Sequence, residues 1–379
     1  MKKIAIIGGG ISGLASAYFL RQKYPDAFIE LYEASDRLGG WMQTKEVSGF
    51  SFELGPRTFQ RSRCPLLLDL SLSMGVEVDF APSGTRYLWH QGRLRPMQSF
   101  WPQLLWAMVH DLFSRRGTKH DETIYEFATR RCGRRAAELF FDPLAKGVFG
   151  GDIRKLSAKA CFPSLFTSKS FLSMMWGKKK DAGLFTVRGG MSQLVQALAN
   201  IPDKVHLNAA VEQMDAEFTV VALPAEKAAF LCGVPLEVRN ETMHVVNIGF
   251  KGDVLPKSGY GYLIPTAEAE TVLGQIWDSS IFPVSGQTKV TTMVRGDEPV
   301  SLALSAMKRH LMVDVPFEAV AVTHAHIPQY DLYHNEKIAA FESEVKRKFE
   351  GKVALVGNYL EGASVEACLA RAKQVYFSK

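Results

Sequence analysis

Apolar positions open this chain as an unbroken run, Ile4-Ala5-Ile6-Ile7, with no polar alternation. A continuous run suits a strand buried on both faces, so residues 3–7 are predicted as a parallel-sheet strand. Three glycines follow, and residues 12–24 then carry Leu14, Ala17, Tyr18 and Phe19 on one side of a predicted helix. Residues 28–33 return as a second strand and complete a βαβ unit, whose central glycines lie where backbone approaches a ligand. Farther along, residues 64–75 suggest a helix, 85–95 a short hairpin around Gln91-Gly92, and 97–149 a mostly helical stretch rich in aromatics and arginines. Two strand-like runs fall within 205–223, the second being Thr219-Val220-Val221-Ala222. Residues 243–250, 260–264, 272–277 and 289–295 have the pattern of an antiparallel sheet punctuated by Gly, Pro and Asp turns. Residues 335–349 form an amphipathic helix, 352–356 another buried strand, and 364–376 a last helix. Strands of the first kind recur after long insertions, so the domains are expected to be discontinuous in sequence.

Composition narrows the class only a little. At 379 residues the chain is too long for one compact core, and 47% hydrophobic with 22% charged residues is a globular balance. The net charge of +6 admits nucleic acid, anionic lipid or polyanionic small molecules without choosing among them. Five cysteines, Cys64, Cys132, Cys161, Cys232 and Cys368, are odd in number and widely spaced, which fits a reduced, cytoplasmic compartment rather than a disulfide framework. The opening apolar run is too short for a signal peptide, and no uninterrupted apolar span of about 18 residues exists. The expectation is a soluble protein or one attached to a membrane surface.

Gly8, Gly10 and Gly13 make a GxGxxG between the first strand and the first helix. The first glycine permits the tight turn, the second lets backbone reach a pyrophosphate, and the third lets helix and strand pack closely. The neighbouring Gly9, Ile11, Ser12 and Leu14 share this turn and the positive end of the helix dipole. Glu33 ends the second strand, where a carboxylate can accept hydrogen bonds from a ribose.

The run Glu33-Ala34-Ser35-Asp36-Arg37-Leu38-Gly39-Gly40 resembles the extended ExxxRxGG signature of the amine oxidase and carotenoid desaturase class of flavoproteins. Beyond it, Glu53-Leu54-Gly55-Pro56-Arg57-Thr58-Phe59 is similar to the segment that passes beside the flavin ring in protoporphyrinogen oxidases. Residues 142–157, Gly259 to Pro265, Leu273-Gly274, Trp277-Asp278-Ser279, Ile327-Pro328-Gln329-Tyr330 and Gly357 to Gly362 continue the likeness in the same order. The resemblance covers most of the chain and implies non-covalent FAD, with Arg37 beside the diphosphate and Gly40, Trp41, Gly55, Pro56, Arg57 and Thr58 along the cofactor. It also implies a second glycine motif at Phe185 to Met191, Val211 touching the adenine through backbone, and Gly357, Ala363, Ser364 and Val365 at the pyrimidine end of the flavin. A helix N-terminus there would stabilise negative charge on a reduced flavin. A strand-to-helix turn that uses glycine for shape is the plain reading of 357–365, and the two readings are compatible. Cys368 lies where some flavin amine oxidases attach FAD covalently, but the local sequence resembles the porphyrinogen oxidase branch.

The fold implied is α/β, with a Rossmann-like FAD domain (1–81, 183–228 and 350–379), a mixed-sheet substrate domain (82–96 and 229–349) and a helical insertion of membrane-binding type (97–182). The activity implied is oxidation of protoporphyrinogen IX in haem biosynthesis, six electrons in three rounds, with oxygen or another acceptor. Coproporphyrinogen III is the second substrate, and a flavin amine oxidase or carotenoid desaturase the rival enzyme. A non-catalytic flavin scaffold on the membrane is the rival of another class. The family places a carboxylate-binding arginine at Arg86, which can clamp a propionate bidentately or simply be a surface hairpin residue. Tyr260 and Leu263 are candidates for the tetrapyrrole face or for plain sheet core, and Gly151 is where the family's backbone nears a meso carbon. No residue has the setting of an essential acid or base. His324 and His326 alternate on a strand pattern, with no third metal ligand placed by spacing, so they read as loop or edge-strand histidines and no metal is expected. The resemblance implies no nucleic-acid partner, and a homodimer stays open.

Met97, Phe100, Trp101, Leu104, Leu105, Trp106, Met108, Val109, Leu112 and Phe113 precede Arg115, Arg116 and Lys119, a pattern that fits an interfacial helix on anionic lipid or one packed in the core. Trp176-Gly177-Lys178-Lys179-Lys180 adds basic charge. The chain is short for the family, with compression expected at 163–184 and 211–221.

Overall fold

A computed structural model describes residues 2–114, 120–163 and 183–376. Strand β1 (Lys3–Ile7), helix α1 (Ile11–Lys23) and strand β2 (Phe28–Tyr32) form the predicted βαβ unit. β1 lies in the middle of a five-stranded parallel sheet, flanked by β2 and then Lys204–His206 on one side, and by Phe218–Val221 and then Val353–Leu355 on the other. Ile4, Ile6, Ile29, Leu31 and Val220 are fully buried, as continuous apolar runs covered on both faces require. α1 packs on the last helix, Val365–Gln374, through a core that includes Leu14, Ala17, Leu369 and Ala372. Glu366 of that helix accepts hydrogen bonds from Leu66 N and Leu67 N, at 2.9 and 3.0 Å, at the start of the helix Pro65–Ser73. The chain passes from His206 to Phe218 without a hairpin, as the compression at 211–221 leads one to expect. The other compressed region lies largely outside the described residues.

A second sheet has seven strands in the order Ala319–Pro328, Asn240–Lys251, Gln287–Val294, Val272–Ile276, Gly261–Leu263, Arg86–His90 and Arg93–Pro96. It is mixed rather than antiparallel throughout, because Arg86–His90 arrives from a distant part of the chain and pairs parallel to Gly261–Leu263. The hairpin at Gln91-Gly92 turns with both residues at positive φ, 53° and 68°, matching the strand twist. The strand pattern was too conservative at 243–250, where the strand runs for 12 residues, and it left unpredicted the helix Pro299–Leu311. That helix covers the back of the sheet by packing Ala303, Ala306, Met307 and Leu311 on Val246, Ile248, Phe250 and Val290.

The described residues of 97–149 are mostly helical, as the pattern predicts, and a capping box at Thr123 and Glu126 starts the helix Ile124–Cys132. The helix Trp101–Phe113 is tied to it by the buried ion pair of Asp111 with Arg131. One face of that helix stays open: Trp101, Leu105, Trp106, Val109, Leu112 and Phe113 are all exposed. Among the described residues no helix is long and apolar enough to cross a membrane. Arg115, Arg116, Lys119 and the 176–180 run lie outside the described residues. The helix His334–Lys348, grouped by sequence with the substrate domain, packs Ile338, Phe341 and Val345 on Val221 and Leu355 of the parallel sheet.

Candidate functional site

The glycine turn between β1 and α1 divides its work among its residues. Gly8 has φ +108° and an added Cβ would lie 2.4 Å from Ala222 O, while at Gly13 it would lie 1.9 Å from Gly8 O. These two positions bring strand and helix together. Gly10 differs, since a Cβ there meets nothing within 4 Å. Gly10 is also the N-cap of α1 and supplies no side-chain cap, so no cap side chain takes up the first N–H groups of the helix, from Ile11, Ser12 and Gly13. Free donors, a positive dipole end and an open cradle fit a diphosphate.

Glu33 closes one side of this turn. Its carboxylate accepts from Gly9 N at 2.7 Å and from Ser35 N and Oγ at 2.9 and 2.8 Å. Burial pushes its carboxyl up, but the bonds from Ser35 and Gly9, with Arg37 nearby, outweigh burial and hold it below its ordinary value. Ser35 takes both sites on Oε1 and Gly9 one on Oε2, so Oε2 retains acceptor capacity for a ribose. Because the folded carboxyl is depressed, its stabilising contribution is complete above the ordinary value of 4.5 and is lost as pH falls through the folded one. Urea midpoints of wild type and Glu33→Gln between about pH 3 and pH 6 are expected to converge on acidification. A gap that stays constant across that range would contradict the role given to these hydrogen bonds.

The ExxxRxGG run lies against the glycine turn. Gly39 donates to Gly9 O at 2.8 Å, and Gly40 approaches Gly10 so closely that its Cβ would be 3.3 Å from Gly10 Cα. Arg37 is exposed and donates to Gly40 O at 3.0 Å, which brings its guanidinium beside the open cradle. Ala34 is exposed near by, and Val211 is half-buried two residues beyond Ala209, whose N–H donates to Glu33 O at 2.9 Å. Trp41 crosses Gly55, where a Cβ would lie 1.9 Å from Trp41 O. Pro56 and Thr58 are half-buried on either side of Arg57.

Arg57 itself is committed elsewhere. Only 9% exposed, it donates to Asn247 Oδ1 at 2.9 Å and to Thr291 Oγ1, and lies 3.5 Å from Asp278 Oδ1. It thereby fastens the 53–59 segment to the front of the larger sheet. The sequence motifs mark Arg57 and contain Asp278, but no sequence pattern points to Asn247 or Thr291.

At the start of the last helix, Ser364 accepts from Ala367 N at 3.1 Å and caps it, with Ala363 half-buried and Val365 buried. Gly357 is buried just past the strand Val353–Leu355. Cys368 is buried between this helix and α1, and burial pushes its thiol up.

The larger sheet presents the remaining residues. Arg86 is exposed and lies over the Tyr260 ring, 5.2 Å from its centroid. Burial pushes the Tyr260 hydroxyl up, with Arg86 opposing and Asp278 adding to the rise. Leu263 is half-buried against Gly147 and joins Leu88, Phe100 and Leu139. Gly151 is buried against Gln329, which sequence reasoning quoted without a role. His324 faces His244 across the strand pair, with ring centroids 4.2 Å apart. Among the described residues no group of three or more metal-ligand side chains comes together.

Residues 11–230 match the family described as flavin containing amine oxidoreductase. Protoporphyrinogen oxidase of Homo sapiens is 29% identical over 472 aligned positions, which take in 100% of this chain and 98% of that protein. Coproporphyrinogen III oxidase of Bacillus subtilis is 26% identical, across 98% of this chain and 96% of that one. A crystal structure from Exiguobacterium sp. 255-15, solved as a candidate protoporphyrinogen oxidase, superposes with a TM-score of 0.84 at 20% identity, covering 98% of this chain and 97% of that one. Reduced UDP-galactopyranose mutase superposes at 0.75 with 16% identity, over 98% and 94% of the two chains. The two structural likenesses speak for the fold alone.

Proposed function

From a chain that belongs to the flavin-containing amine oxidoreductase family, we propose an FAD-dependent oxidase that converts a porphyrinogen to its porphyrin. The observation that carries this reading is end-to-end similarity to relatives named for two porphyrinogens, protoporphyrinogen and coproporphyrinogen III. Protoporphyrinogen IX is the first substrate and coproporphyrinogen III the second. A bound flavin supplies the two-electron acceptor, regenerated by oxygen with release of hydrogen peroxide, so six electrons leave in three rounds.

The chain's own residues bind and orient. The 8–14 turn holds the diphosphate on the N–H groups of α1, Glu33 holds a ribose, and Arg37 adds positive charge. The backbone of Val211 meets the adenine, and Ala363, Ser364 and Val365 offer N–H groups to the far end of the ring system. Trp41, Gly55, Pro56 and Thr58 line the path between these ends, and Gly357 turns the chain beside it. Cofactor attachment is non-covalent, a reading supported by the burial of the Cys368 thiol. Arg86 takes a substrate carboxylate, Tyr260 and Leu263 offer apolar contact, and the Gly151 backbone meets the macrocycle. The exposed face of Trp101–Phe113 supports peripheral attachment to a membrane, where an apolar substrate would be delivered.

Anaerobic mixing of the yellow protein with protoporphyrinogen is expected to bleach the flavin band near about 450 nm, with porphyrin fluorescence appearing and colour returning on oxygen. The same experiment with coproporphyrinogen ranks the two substrates. A protein that stays yellow with both refutes the proposal. Arg86→Ala is expected to raise KM about tenfold with kcat nearly unchanged, the loss of one charge-assisted carboxylate contact. An unchanged KM would remove Arg86 from the substrate site.

A further inference from the structure

The helix Asp142–Phe149 ends in a turn that its own hydrogen bonds hold at one point, Gly150 N donating to Lys146 O at 2.9 Å. Gly150 takes the left-handed conformation with φ 63°, and buried Gly151 follows it. Two side chains on the larger sheet hold the rest of the turn. Gln329, 1% exposed, donates from Nε2 to Phe149 O at 2.7 Å and to Ile327 O at 3.0 Å. Carbonyls only accept, so the amide has one possible orientation, with Oε1 turned away from both. Oε1 is sealed from solvent and has no N–H or O–H partner. It faces Gly151, where an added Cβ would lie 2.1 Å from it, so the Gly151 Cα–H group is packed against the amide oxygen. On the other side Arg295 donates to Gly150 O and is steadied by Glu241 at 3.5 Å.

Each of three consecutive backbone units is therefore touched by Gln329 or Arg295. A buried amide oxygen without a conventional donor costs stability. We infer that Gln329 and Arg295 form a clamp that sets the position of the Gly150-Gly151 backbone against the substrate. Both are positioning residues: they act through the turn. The inference rests on the porphyrinogen oxidase reading, in which Gly151 meets the macrocycle. Binding energy comes from the apolar walls and Arg86, so a loosened turn leaves affinity in place and spoils the alignment of the reacting carbon. Misplacement by about 1 Å can cost about a hundredfold in rate.

The test uses the flavin-loaded enzyme with Gln329→Met, which keeps the length of the side chain and removes both of its polar ends. Expected are a fall in kcat of about ten- to a hundredfold, a KM and product-porphyrin Kd within about threefold of wild type, and unchanged flavin content. Arg295→Met is expected to act likewise, and the double variant to lose less than the product of the two single effects, because both hold one turn. In Gln329→Glu the neutral carboxyl keeps one donor for Phe149 O, so part of kcat is expected to return as pH is lowered. Amide hydrogen exchange supplies a readout apart from turnover. Exchange is expected to speed up over residues 150–152 in Gln329→Met and to stay slow over 144–148. Unchanged exchange over 150–152 overturns the clamp, as does a variant that turns over like wild type. If wild type itself is not reduced by a porphyrinogen while exchange still rises at 150–152, the functional reading falls and the clamp on the turn stands.

Discussion

Gly10→Ala is expected to purify folded and colourless, whereas Gly13→Ala is expected to fold poorly or not at all. The two residues sit three apart in one turn, yet they face different neighbours. Gly10 has φ −71° and ψ 179°, a conformation any residue adopts, and a Cβ there meets nothing within 4 Å. Alanine should leave the protein without cofactor as stable as before, or about 0.4–1 kcal/mol better, because the unfolded chain loses freedom. The same methyl fills the space in front of the α1 N–H groups, where a diphosphate needs direct backbone contact. Flavin occupancy should fall at least about tenfold, the loss of about 1.4 kcal/mol or more of binding. At Gly13 a Cβ would lie 1.9 Å from Gly8 O, and the obstacle is backbone that cannot swing away. Alanine gains about 1 kcal/mol in helix propensity but must separate α1 from β1. The net cost should be several kcal/mol, a large part of a typical stability of about 5–15 kcal/mol. The flavin-to-protein absorbance ratio and the thermal midpoint of each variant decide the matter. A yellow Gly10→Ala would show that the open cradle is not the diphosphate seat, and a Gly13→Ala that melts like wild type would show that strand and helix have room to part.

Arg57→Met is expected to cost about 3 kcal/mol of stability, more than it costs in flavin affinity. The guanidinium is buried against Asn247 and Thr291, with Asp278 at 3.5 Å and one-fifth exposed. Removing it leaves the Asp278 carboxylate supported by the Thr291 hydroxyl at 2.7 Å, with its charge unbalanced in a mostly closed site. The full penalty for breaking a buried pair, about 3–5 kcal/mol, is trimmed by the partial exposure of Asp278. Arg57→Met combined with Asp278→Asn should recover part of the loss, since no uncompensated charge remains. Urea midpoints and flavin content of the single and double variants separate two roles. Full stability with lost flavin would mean that Arg57 serves the cofactor directly, as the family resemblance implies. Lost stability with flavin retained would make it a brace between the 53–59 segment and the larger sheet.

The βαβ unit, its glycine turn and Glu33 were legible because they are encoded by neighbours in sequence. A continuous apolar run specifies a strand with both faces covered, and glycines at fixed offsets specify where backbone closes on backbone. The hairpin at Gln91-Gly92 is equally local, since two residues at positive φ are enough to turn it. The strand Ala319–Pro328 was seen only as an alternation around His324 and His326, because an edge strand needs one neighbour and shows half a pattern. The helix Pro299–Leu311 escaped because its buried face is built largely from small residues, Ala303 and Ala306, whose burial the larger sheet imposes.

By itself, then, the sequence determined the glycine turn, the type of most elements and the family, each written in short runs of neighbouring residues. Tertiary structure alone decided what Arg57 and Gln329 hold. Arg57 meets Asn247 across 190 residues, and Gln329 meets Phe149 across 180. No periodicity or spacing encodes such pairs. They exist because two sheets and a helical layer pack in one arrangement, in which a buried donor must find whichever acceptor the packing brings to it.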